Sequence, residues 1–136
     1  MPYIVLGLML VQAGAGVALL IRWMQGKRPG GRVVVAHVTA GLLTVALWSV
    51  FVIAGSVWAA WTAFVVMSVG NAVGDSMLIK RWQRTVESAP GFWPSYGAAI
   101  AAVFAGRMPR TVAFHALFAG VVYFAALAAC IAASVA

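Results

Sequence analysis

Residues 33–79 read VVVAHVTAGLLTVALWSVFVIAGSVWAAWTAFVVMSVGNAVGDSMLI. The stretch lies between Arg32 and Lys80, and the only ionisable side chains inside it are His37 and Asp75. A helix needs about 20 predominantly apolar residues to cross the hydrocarbon core of a bilayer. Here two such runs, about 33–53 and 57–79, stand on either side of Gly55-Ser56. Reading outward, a third run occupies about 2–21 and a fourth about 109–136. No proline interrupts any of them: Pro2, Pro29, Pro90, Pro94 and Pro109 fall at ends or in connections, where a missing N–H costs little. A transmembrane barrel would need strands of about 10 residues with alternating polarity, and that pattern is absent. The expected fold is all-α, a single domain over 1–136: an integral membrane four-helix bundle running up-down-up-down.

Composition leads to the same class. Of 136 residues, 65% are hydrophobic and 8% charged, against about 45–50% and 25% in a soluble domain. Disorder is excluded too, because disordered chains are poor in apolar residues. The first apolar run has no basic segment before it, since the first charge is Arg22. It is therefore expected to persist as a helix rather than be cleaved as a signal peptide. The lone cysteine, Cys130, cannot form an internal disulfide and reads as packing.

The net charge is +7. In a soluble protein that excess would suggest nucleic acid. Here the basic residues are Arg22, Lys27, Arg28 and Arg32 in one connection, and Lys80, Arg81, Arg84, Arg107 and Arg110 in another. The Gly55-Ser56 turn has none. The positive-inside rule places both basic connections in the cytoplasm and both termini outside. Anionic lipids on the cytoplasmic face are the expected partners of this charge, nucleic acid is not, and a bacterial cytoplasmic membrane is the expected location. Trp58 and Trp61 would then anchor the outer interface, and Trp23, Trp82 and Trp93 the inner one. Between residues 81 and 109, Pro94 is suited to the first position of a short helix. Tyr96, Ile100, Val103 and Phe104 would share its apolar face, giving a helix lying in the interface or, alternatively, a re-entrant segment.

An ionisable residue inside a membrane helix is a functional hypothesis by default. His37 stands five residues after Arg32, His115 five after Arg110, and Asp75 five before Lys80. At 1.5 Å per residue, all three lie about 7–8 Å inside the basic end. They read as one polar layer, with His37 and His115 on helices that sit diagonally in a four-helix bundle. Gly70 and Gly74 form a small-xxx-small pair suited to close helix approach. Gln12 and Asn71 read as polar core residues that hydrogen-bond between helices.

Several functions are compatible with that layer. The chain has no phosphate loop, zinc-protease motif or nucleophile elbow, so a catalytic role has no support. With little mass outside the membrane, it suits an accessory subunit packed on partner integral membrane proteins in a respiratory or transport complex. Alternatively, His37 and His115 are axial ligands of haem b in an electron carrier. Gly41 would then make room for the macrocycle, Arg22, Arg32 and Arg110 would pair with the propionates, and Asp75 would orient a histidine. In outline the chain resembles small four-helix b-type cytochromes, without a family signature. A metal held by His37, His115 and Asp75, a proton relay in a small coupled transporter and plain His–Asp pairing are further readings. Small multidrug exporters rely on a glutamate in the first helix, where this chain has only Gln12.

Overall fold

The computed structural model describes residues 1–26, 30–88 and 90–135. Its helices are α1 (Pro2–Gln25), α2 (Gly31–Ala54), α3 (Val57–Gln83), α4 (Phe92–Phe104) and α5 (Arg110–Ser134), with no strand among the described residues. Four of them, all but α4, are long and apolar enough to cross a membrane. Leu42 (66% exposed), Ile53 (85%) and Phe124 (69%) point outward from these helices. Such a surface is sustainable where lipid, rather than water, is the solvent.

The ends follow local chemistry. Gly55 adopts φ 67°, a left-handed conformation, and its N–H donates to the Phe51 carbonyl, closing α2. Ser56 opens α3 by accepting the Ala59 N–H at 3.3 Å. The helices of the first connection reach further than the apolar runs. Arg22 and Trp23 remain inside α1, which ends at Gln25 rather than near residue 21. Likewise α3 continues through Lys80 and Arg81 to Gln83. Charged residues can prolong a helix past the hydrocarbon, so hydropathy marks the spanning part and misses the overhang. Lys27 and Arg28 lie outside the described residues.

Packing runs α1 to α2 to α3 to α5 and back to α1. Among the described residues no Cα of α2 comes within 8 Å of one of α5, nor any of α1 within 8 Å of one of α3. Thus α2 and α5 are diagonal. One apolar core joins the beginnings of α1 and α3 (Val5, Met9, Ala60, Ala63, Met67) to the ends of α2 and α5 (Trp48, Phe51, Val122, Ala126, Cys130). Trp48 is fully enclosed and donates its indole N–H to the Pro2 carbonyl at 3.1 Å. Within that packed environment Cys130 is also fully buried.

A second core lies at the basic end, where Ala99, Ala102 and Val103 of α4 pack with Leu78 of α3, with Met108 just before α5 and with Val112, Ala113 and Ala116 of α5. At 13 residues, or about 20 Å, α4 is too short to span. It begins at Phe92, so Pro94 is its third residue rather than its first. The buried face is Ser95, Ala99, Ala102 and Val103, while Phe104 is 73% exposed. In a segment with so little polar contrast, periodicity could not distinguish the packed face from the open one.

Candidate functional site

The basic half of the bundle contains a layer built from two histidines and two glycines. His37 on α2 rests on α3: a Cβ placed on Gly74 would stand 3.0 Å from its Cε1. Its Nδ1 lies 2.9 Å from the Gly70 carbonyl. A carbonyl only accepts, so Nδ1 carries the proton and, in the neutral ring, Nε2 keeps a lone pair. His115 on α5 rests on α1 in the same manner, with Cε1 3.3 Å from the position of a Cβ on Gly16. Gln12 Nε2 donates to the His115 carbonyl at 2.9 Å. Although the backbones of α2 and α5 stay more than 8 Å apart Cα to Cα, the two imidazoles meet across the diagonal, with ring centres 6.0 Å apart and planes at 78°.

Two polar atoms in this layer, His115 Nδ1 and Gln12 Oε1, are buried and have no hydrogen-bond partner among the described residues. Such groups are few in a folded protein, and each calls for a physical account.

Asp75 goes elsewhere. Its Oδ2 accepts the Tyr96 hydroxyl at 3.3 Å, tying α3 to α4. The orienting partner of the His37 ring is instead the Gly70 carbonyl. Burial, the Asp75 charge and this hydrogen bond together push the Tyr96 phenol above its ordinary value. Among the described residues no three His, Cys, Asp or Glu side chains come together as a metal-binding group.

The remaining expected residues are dispersed. Gly41 is exposed, with nothing within 4 Å of where a Cβ would stand. Asn71 is half-buried on α3. Arg32 is exposed at the start of α2. Arg22 donates to Thr111 Oγ1 at 2.9 Å, bridging α1 and α5. Arg110 and Thr111 line a shallow apolar groove of about 210 Å³ on the outside of that helix pair, and a second groove of about 390 Å³ lies on the outer face of α2 and α3. Neither groove is lined by the histidines.

Gly16 and the Gly70 carbonyl went unassigned from sequence. A signal for the glycine seats exists: Gly16 is six residues before Arg22, and Gly74 six before Lys80. The depth count that groups the histidines therefore also selects the glycines beneath them.

The fold and this layer define a small helical membrane protein with a paired-imidazole core. No family model, curated protein or solved structure matches the chain.

Proposed function

We propose that this protein is a b-type haem-binding membrane electron carrier, with His37 and His115 as axial ligands, working beside partner integral membrane proteins. The observation that carries this reading is the imidazole pair, 6.0 Å between ring centres and held from two helices whose backbones lie across the diagonal from each other. Two imidazoles holding one metal ion would have ring centres about 6 Å apart, allowing about 2 Å per metal–nitrogen bond and about 1 Å from nitrogen to ring centre, and a plain T-shaped contact between two rings gives the same spacing. A bare zinc or non-haem iron site asks for three or more protein ligands. No third ligand joins the pair among the described residues, whereas a haem iron takes only axial ligands from the protein.

When bound, the haem supplies a one-electron redox centre. The rest is the work of this chain. Gly70 fixes the tautomer and orientation of His37. The His115 Nδ1 has no hydrogen-bond partner among the described residues. Gly16 and Gly74 give the layer two positions without side chains. Arg32, five residues before His37 on α2, is available to a propionate. With the basic connections in the cytoplasm, the layer lies near the cytoplasmic face and both termini outside. The helices leave little mass beyond the bilayer, so electron donor and acceptor are partner proteins, as in a respiratory complex.

Plain His–Asp pairing accounts for less of the structure. The carboxylate accepts the Tyr96 hydroxyl, and a buried imidazole nitrogen has no partner among the described residues.

The test is a reduced-minus-oxidised spectrum of protein purified from haem-sufficient cells. A Soret band and a sharp α band are expected. His37→Ala and His115→Ala should each abolish the low-spin signature, while Asp75→Asn leaves the haem in place. A colourless protein that also fails to take up added haem, or bands that survive both histidine changes, overturns the reading.

A further inference from the structure

We infer that the outer groove between α1 and α5 binds one anionic phospholipid, its acyl chain along the groove and its phosphate at the arginine-flanked start of α5. The groove is lined by Ala15 and Ala18 of α1 and by Arg110, Thr111 and Phe114 of α5. Its floor is almost wholly apolar, and its charge is gathered where α5 begins. There Arg110 is exposed, and the Arg22 guanidinium is held at 2.9 Å from Thr111 Oγ1.

That corner is electrostatically unusual. A helix N-terminus carries partial positive charge and favours anions. The start of α5 has Pro109 at its cap, no capping side-chain hydrogen bond and no acid in its first turn. Instead two arginines stand there, adding like charge to like. A phosphate there would accept hydrogen bonds from the guanidinium groups, whereas the Val112 and Ala113 amides already donate to the Pro109 carbonyl.

The apolar floor decides which phosphate. A free anion would leave Ala15, Ala18 and Phe114 uncovered, whereas a lipid supplies headgroup and hydrocarbon in the order the groove presents them. Basic pockets between transmembrane helices are a recurrent setting for anionic headgroups. The inference is independent of the haem reading, because the groove is on the outside of the bundle and shares no lining residue with the histidine layer.

The test is native mass spectrometry of the full chain in neutral detergent, titrated with phosphatidylglycerol or phosphatidylcholine. One phosphatidylglycerol should be retained in preference to phosphatidylcholine, and inorganic phosphate should not displace it. Arg22→Gln and Arg110→Gln should each weaken retention on the order of fivefold, and Arg110→Lys should largely preserve it. Ala18→Leu, which fills the groove without changing charge, should also weaken it. Arg84→Gln, an exposed charge outside the groove, should not. Equal retention of the two lipids, an equal loss in Arg84→Gln, unchanged retention in Ala18→Leu or displacement by phosphate each overturns the assignment. Helical circular dichroism of every variant separates lost binding from lost folding.

Discussion

Gly74 and Gly41 are both glycines inside membrane helices, yet their surroundings assign them opposite consequences. A methyl group on Gly74 would meet the His37 ring at 3.0 Å, and that ring is pinned by its bond to Gly70. Gly74→Ala should therefore overpack the layer and destabilise the protein by about 1–3 kcal/mol. On Gly41 the methyl meets nothing within 4 Å, so Gly41→Ala should gain helix propensity of roughly 0.5–1 kcal/mol. Gly16→Ala, at 3.3 Å from His115, should fall between them. Denaturation of the three variants in one detergent would check the order, and a Gly74→Ala protein as stable as Gly41→Ala would contradict the placement of the His37 ring. The shared depth of the histidines was legible in the sequence because rise per residue is fixed by the helix. The partner of each side chain was not, because rotation about the helix axis depends on packing that an almost uniformly apolar sequence does not encode.

At the scale of the element, α4 shows both outcomes. A short helix after residue 90 was legible from Pro94 and an uncharged run. Its docking on α3 and α5 was not, since the residues that bury, Ser95, Ala99 and Ala102, are small and carry little hydropathic signal. The Tyr96 hydroxyl adds a polar tie to Asp75. Removing it in Tyr96→Phe should cost about 1 kcal/mol and loosen α4 locally. Hydrogen exchange should then accelerate across residues 92–104 and remain unchanged across 57–67, which pack in the other core. Uniform acceleration throughout α3 would mean that Asp75 supports the bundle itself rather than the dock.

At the scale of the molecule, the basic end is the one that holds the paired histidines, and orientation in the membrane decides which compartment the layer adjoins. With Cys130 replaced, a cysteine at Ser56 should react with an impermeant thiol reagent in intact cells, and one at Gln25 should not. The opposite labelling would invert the assignment. Four long apolar helices were readable from hydropathy alone, because lipid permits few alternatives for an unbroken apolar run, while the charged overhangs to Gln25 and Gln83 were not. The pairing of α2 with α5 across the diagonal has a thermodynamic consequence. Since the two helices are not backbone neighbours, no adjacent helix pair carries both imidazoles; the pair is held in place when the four-membered ring of helices has closed. Any group that grips both rings must bind the closed bundle in preference to every partly assembled form. Its binding free energy is then added to the stability of the closed state, and occupancy becomes a report on assembly: chains that have not completed their ring remain empty, and filled chains resist coming apart.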